Sequence, residues 1–212
     1  MSTQKSNRER TLFLTQFSML LAIEAIVCFT PLGSIPIGPI VATLGAIPVI
    51  VAAIVLGTGA GTAMGFFFGL FSFIVWTFMP PNPVIAFVFT PAYIGGNFWS
   101  LVICFVPRIL VGLVTGACFS LFSRLFNKHR GLSVLVYSLS GILGSLINTF
   151  LVLGGIFVFF GRAYAGAIGK TYELLLGLIG VTVLTNGLME AALGGVVAYA
   201  VCFPLRKFLK RI

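Results

Sequence analysis

Long apolar runs, separated by short polar or proline-bearing breaks, organise this chain. Six of them span about Leu12–Thr30, Ile40–Leu56, Ala60–Phe78, Phe98–Phe122, Leu132–Phe160 and Leu174–Phe203. A hydrocarbon core of about 30 Å is crossed by about 20 apolar residues in helix. Each run is therefore predicted to be a transmembrane helix, the second a short one. The last two exceed a straight crossing and are predicted to tilt, kink or leave the bilayer. The fold class expected is an all-α membrane protein, one six-helix bundle over residues 1–212. Lys5, Arg8 and Arg10 precede the first run as they would in a secretory signal. That run is longer than a signal's apolar region and ends in no small-x-small cleavage site, so it is predicted to stay as an uncleaved helix.

The breaks are unequal. Gly57-Thr58-Gly59 is a tight turn. The other side has long connections: Pro31 to Pro39, Pro80 to Asn97, and about Gly161–Glu173. The apolar, proline-bearing stretch Val84–Pro91 reads as a lid folded over something rather than as a loop in open water.

Composition names the solvent. Mean hydropathy is +1.15, 59% of residues are hydrophobic and 8% are charged, against about 25% charged in a soluble domain. The net charge of +9 does not point to nucleic acid, because the basic residues sit between apolar runs. Lys5, Arg8, Arg10, Arg124, Lys128, Arg130, Arg206, Lys207, Lys210 and Arg211 share one side of an alternating six-helix path. Arg162 and Lys170 lie on the other side, and Arg108 lies inside a helix. The positive-inside rule then places both termini in the cytoplasm.

The cysteines Cys28, Cys104, Cys118 and Cys202 have no CxxC spacing and read as packing residues. His129, the single histidine, lies in a basic loop, so no metal site is expected. No P-loop is present, so any ATP must be consumed by a partner.

Small residues at four-residue spacing let membrane helices approach closely. Gly57, Gly61, Gly65 and Gly69 form such a stripe, Gly112 and Gly116 a second, Ser18 and Ala22 a third. Each is either packing within the bundle or a face for another membrane subunit, and spacing alone leaves both open. Glu24, Arg108 and Glu190 are ionisable residues within the runs. Each costs at least a few kcal/mol facing lipid, so each is expected to face inward with a partner. Pro107 leaves a carbonyl on its preceding turn unpaired, and Arg108 follows it. A guanidinium at that depth suits a carboxylate or phosphate, or an internal ion pair with Glu24 or Glu190. Asn148 and Asn186 add amides near mid-span. Trp76, Phe87, Phe89, Tyr93, Trp99, Tyr164 and Tyr172 form either an interface belt or, for Phe87, Phe89 and Tyr93, a cover over a ligand.

These features together resemble the substrate-capture (S) components of energy-coupling-factor (ECF) vitamin transporters. The resemblance covers nearly the whole chain. It rests on IPIGPIVATLGAIPVI from Ile35, VLGTGAGTAMGF from Val55, NFWSL from Asn97 and FVPRILVG from Phe105. It implies a high-affinity vitamin-binding subunit with no catalytic residues and no cofactor of its own. Such a subunit docks on a transmembrane coupling subunit carried by two cytoplasmic ATPases, which spend ATP, and topples to deliver the vitamin. Family docking uses a small-xxx-small motif on the first helix, matched here by Ser18 and Ala22; Gly61 and Gly65 are further docking candidates. The Ile-Gly-Pro and Pro-Arg-Ile-Leu phrases are most similar to pantothenate-type members. On that likeness Arg108 takes the carboxylate, and Asn97, Asn148 and Asn186 address hydroxyls and amide. Glu190, Trp99, Tyr93 and Phe89 complete the expected binding set. Folate, riboflavin and a thiamine-precursor pyrimidine stay open as substrates. An autonomous secondary transporter is the competing mechanism, although no internal repeat is visible.

Overall fold

The computed structural model describes residues 2–30, 33, 35–37, 40–42, 44–126 and 132–209. The described residues form helices α1 (Ser2–Phe29), α2 (Ala46–Val55), α3 (Thr58–Phe78), α4 (Phe98–Leu125), α5 (Ser133–Ala167), α6 (Tyr172–Thr182) and α7 (Leu188–Leu209). A hairpin of two short strands, β1 (Ile35–Ile37) and β2 (Ile40–Ala42), precedes α2. It is antiparallel, with Ile35 opposite Ala42 and Ile37 opposite Ile40. The basic-loop residues Lys128, His129 and Arg130, and the terminal Lys210 and Arg211, lie outside the described residues.

Helix dominates because the interior of a bilayer offers no water to backbone N–H and C=O groups, and a helix satisfies them within one segment. Five helical stretches are long and apolar enough to cross: Asn7–Phe29, Thr58–Phe78, Phe98–Leu125, Ser133–Ala167 and Tyr172–Phe208. The second of the six expected runs forms no helix long enough to cross by itself. Ile40–Leu56 is a strand followed by a ten-residue helix, about 15 Å long and half a crossing. Helix α2 is apolar on every face and buried all round, with Val49 and Ala52 fully enclosed. A helix of that kind belongs in a core rather than against lipid.

The long last runs also resolve. Helix α5 continues through Ala167, past the expected end at Phe160, so the connection to α6 shrinks to residues 168–171. The final run is broken by a π-helical turn, Val183–Gly187, between α6 and α7.

Chain direction follows from side-chain contacts. Phe17 meets Phe67 and Phe29 meets Phe71, so α1 and α3 run the same way. Gly61 packs on Ala53 of α2, Gly65 on the Arg108 backbone of α4, and Gly116 on Thr58, which makes α3 antiparallel to both α2 and α4. Gly155 against Ile103 and Gly144 against Thr115 set α5 antiparallel to α4. Gly141 against Gly194, with Thr149 bonded to Glu190, sets α7 antiparallel to α5. The start of α1 and the end of α7 therefore share one end of the bundle, the terminal end. The hairpin, residues 79–97 and residues 168–171 share the other, the loop end.

Glycine decides the α3–α4 contact. A Cβ on Gly112 would collide with the Gly61 carbonyl, and one on Gly65 with the Arg108 carbonyl. The two backbones thus touch with no side chain between them, the close approach that small residues permit in lipid. Gly57 makes the α2–α3 turn at φ 104°, a left-handed conformation that costs glycine nothing.

Residues 79–97 are anchored rather than loose. Asn82 caps a 3-10 turn over Pro83–Val88, accepting from the Val84 N–H at 3.1 Å. The Ser100 hydroxyl donates to the Phe87 carbonyl at 2.7 Å. Phe87, Val88 and Phe89 are buried against Ile103, Ile156 and Phe160. The segment expected as a lid is a plug set into the loop end of the bundle.

Gly65→Val is expected to lower stability by at least about 1–3 kcal/mol, the range for overpacking a filled contact. Gly59→Ala, where an added Cβ meets nothing within 4 Å, is expected to raise stability by up to about 1 kcal/mol, the helical preference for alanine over glycine. Melting temperatures of the detergent-purified chain check both.

Candidate functional site

The site begins with a helix defect. Pro107 has no N–H, so the Ile103 carbonyl, four residues earlier in α4, loses its helical partner. Arg108 supplies the missing donor: its Nη1 donates to the Ile103 carbonyl oxygen at 2.8 Å. Helical side chains lean toward the N-terminus of their own helix, which is why a residue one position after the proline reaches back one turn.

The guanidinium lies in an apolar layer, 7% exposed. It sits over the Phe68 ring of α3 at 5.6 Å and the Phe89 ring at 5.4 Å, measured to the centroids. Ring faces favour a cation, and two of them offset part of its desolvation. Its Nε has no hydrogen-bond partner among the described residues. The carboxylate of Glu24 on α1 is fully buried and accepts from the Cys28 thiol at 3.3 Å, while its Oε2 is also unpartnered. No ion pair joins Glu24 to Arg108 among the described contacts, and the hydrogen bond seen for Arg108 goes to a carbonyl.

A second polar group lines α5 and α7. The Thr149 hydroxyl donates to Glu190 Oε2 at 3.0 Å, the shorter of its two contacts, the other being Ser145 O at 3.3 Å. Glu190 is half-buried and lies within electrostatic reach of Arg108. Asn148, one residue before Thr149, is buried with its Oδ1 unpartnered. Asn186 is half-buried in the π turn, one turn before Glu190.

Of the residues expected to bind, the structure thus places Arg108 against Phe89, and Asn148 and Glu190 on facing helices at a similar depth. Asn97 and Trp99 are elsewhere. Asn97 is the N-cap of α4: its Oδ1 accepts from the Trp99 N–H at 2.9 Å, and its own N–H donates to Ser100 Oγ at 3.1 Å. This reciprocal arrangement is a capping box, and it occupies the amide oxygen. Trp99 is exposed and stacked on Phe159 at 4.0 Å, on the flank of the bundle. Tyr93 packs beside the Phe87–Phe89 plug. Sequence reasoning passed over Phe68 and Thr149. The signal for Phe68 was its place three residues after Gly65 and seven after Gly61, a spacing that shares the stripe's face of α3.

Among the docking candidates, Gly61 and Gly65 are buried between α3 and its neighbours α2 and α4. Ser18 and Ala22 are exposed on α1, flanked by exposed Leu14, Met19, Ile23 and Ile26.

The family described as "ECF transporter, substrate-specific component" matches residues 12–205. The pantothenic acid transporter PanT of Lactococcus lactis subsp. cremoris is 32% identical over 174 residues, 80% of this chain and 80% of that protein. The pantothenate transporter PanT of Leuconostoc mesenteroides subsp. mesenteroides is 31% identical over 207 residues, 90% of this chain and 93% of that protein.

Restoring the missing N–H tests the helix repair. Pro107→Ala returns a backbone partner to the Ile103 carbonyl, so Arg108→Gln should cost less stability there than in the wild-type background. The expected coupling is about 1.5–3 kcal/mol, the range for a hydrogen bond to a charged group. A double-mutant cycle by denaturant unfolding in detergent measures it.

Proposed function

The chain belongs to the substrate-specific components of ECF transporters, and from that premise we propose that it captures pantothenate at the Arg108 layer. As a member of that family it is a multi-pass membrane protein whose work is binding for transport. Two relatives over most of its length carry pantothenate transport in their names. The observation that carries the reading is a buried guanidinium with an unpartnered Nε, set between two aromatic faces at the depth of an unpartnered amide oxygen.

Pantothenate matches that set of groups. Its one carboxylate suits Arg108, where a planar fork gives paired charge-assisted hydrogen bonds. Its hydroxyls and amide N–H are donors for Asn148 Oδ1 and the Glu190 carboxylate, and Asn186 adds a further amide. Riboflavin has no carboxylate to repay Arg108, and a thiamine-precursor pyrimidine would need a counter-charge rather than a cation. Folate carries two carboxylates and a wide pterin ring, more than one arginine between two phenylalanines accommodates.

The remaining parts of the reading concern assembly. The exposed small-residue face of α1, Ser18 and Ala22, is the docking surface for a transmembrane coupling subunit, while Gly61 and Gly65 serve internal packing. Two cytoplasmic ATPases on that subunit spend the ATP. The terminal end of the bundle, with Arg124, Arg206 and Lys207, faces the cytoplasm by the positive-inside rule, so capture occurs from the loop end. Half-helix α2 and the π break before α7 also favour a second reading, an autonomous secondary transporter, since such proteins bind at interrupted helices.

Calorimetry on the purified chain is expected to show pantothenate binding, with Arg108→Ala weakening it by about 2–5 kcal/mol. Unchanged affinity removes Arg108 from the site. In liposomes, pantothenate uptake should require the coupling subunit, both ATPases and ATP; uptake by this chain alone selects the secondary transporter. Ala22→Trp is expected to abolish co-purification with the coupling subunit while leaving ligand affinity within about twofold of wild type.

A further inference from the structure

We propose that the N-terminus of α2 is the second half of the anion site, sharing the ligand carboxylate with Arg108. The proposal rests on the pantothenate reading and deepens it.

Helix α2 starts inside the bundle rather than at its edge. Its N-cap is Gly45, which offers no side-chain oxygen, and no acidic residue stands in its first turn. Pro48 occupies that turn with no N–H of its own. The positive end of a ten-residue helix is thus left without a negative side chain of its own. The aligned peptide dipoles amount to about half a positive charge there, and such an end is a ready site for an anion. Within a bilayer little water is available to answer it.

Phe68 links that end to Arg108. A Cβ on Gly45 would meet the Phe68 ring edge, its Cζ at 2.7 Å, and the Arg108 guanidinium carbon lies 5.6 Å from the centre of the same ring. Arg108 leans toward the start of α4, to the Ile103 carbonyl. Because α2 and α4 run the same way, this carries the charge up to the level at which α2 begins. A third polar group reaches that level. Gly144 on α5 packs beside Ile50, an added Cβ lying 3.5 Å from its Cγ1. The antiparallel pass then places Asn148, one turn along α5, level with Ala46, one turn back along α2. Arg108 Nε and Asn148 Oδ1 are both buried and have no hydrogen-bond partner among the described residues, so within them the layer at the head of α2 holds a donor and an acceptor open to a ligand. The ligand carboxylate would bridge the guanidinium and the Ala46 amide, and Asn148 would take a donor farther along the ligand.

Affinities for pantothenate and for its neutral alcohol, pantothenol, test this in the full-length chain in nanodiscs. Wild type should prefer the acid strongly. Arg108→Gln should keep about a tenfold preference, the share of a helix N-terminus in a partly buried setting. Replacing the Ala46 amide by an ester, through incorporation of lactic acid at position 46, removes one N–H and keeps the side chain. It should weaken acid binding about three- to tenfold and leave the alcohol unchanged. Loss of all preference in Arg108→Gln overturns the shared site, as does unchanged acid affinity in the ester. If Arg108→Gln does not fold, the ester decides alone. A wild-type chain that binds neither compound removes the pantothenate reading and this subsite together, whereas acid binding without the two expected shifts removes the subsite only.

Discussion

The bond from Arg108 to the Ile103 carbonyl governs the interior of this protein. A proline in the middle of a membrane helix leaves an acceptor with little water nearby to satisfy it. A cation in the same place carries a cost of a few kcal/mol by translocon measures. Each defect is the remedy for the other. Pro107 supplies the carbonyl that holds the guanidinium, and the guanidinium repairs the helix that Pro107 would weaken. The Phe68 and Phe89 faces complete the enclosure. A charge held in this way has a fixed place at depth, and the Arg108 Nε has no hydrogen-bond partner among the described residues.

Close backbone packing makes that arrangement possible. Gly65 meets the Arg108 carbonyl directly, and Gly112 meets Gly61. Any side chain at these positions would push α4 away from α3 and carry the guanidinium off the Phe68 ring. The short helix α2 packs into the same compact interior. Its neighbours surround it so fully that Val49, Ala52 and Ile50 are all enclosed. The glycine stripe therefore sets the position of the charge against the Phe68 ring.

Much of this was legible in the sequence, and the exceptions have physical causes. Run length and apolarity located the five helical stretches long and apolar enough to cross, because a lipid-facing helix must be long and hydrophobic. The second run was harder to read because hydrophobicity does not separate a lipid-facing helix from one buried in protein, and α2 is buried. Arg108 stood out because charge within an apolar run is rare. Its carbonyl partner follows from the proline beside it, but the choice between that carbonyl and a carboxylate depended on tertiary placement. Asn97, expected to address the ligand, is the N-cap of α4. The Ser100 that completes its capping box lies three residues on, the spacing that signals a helix start. Gly61, Gly65, Ser18 and Ala22 share one pattern, and burial alone separates internal packing from an open face.

The choice of arginine at position 108 follows from the two tasks this position carries. One donor is committed to Ile103, and a ligand anion needs at least one more in a fixed direction. Lysine offers donors on a single strongly hydrated nitrogen and readily loses its proton when buried. A lysine close enough to serve the carbonyl would centre its charge there, and its neutral form would forfeit the attraction for an anion. The guanidinium remains charged, spreads five N–H groups over a rigid plane and stacks on aromatic faces. Nη1 can therefore stay on the helix while Nε points elsewhere. Helix repair and ligand capture occupy different edges of one group, so the second does not require the first to be undone.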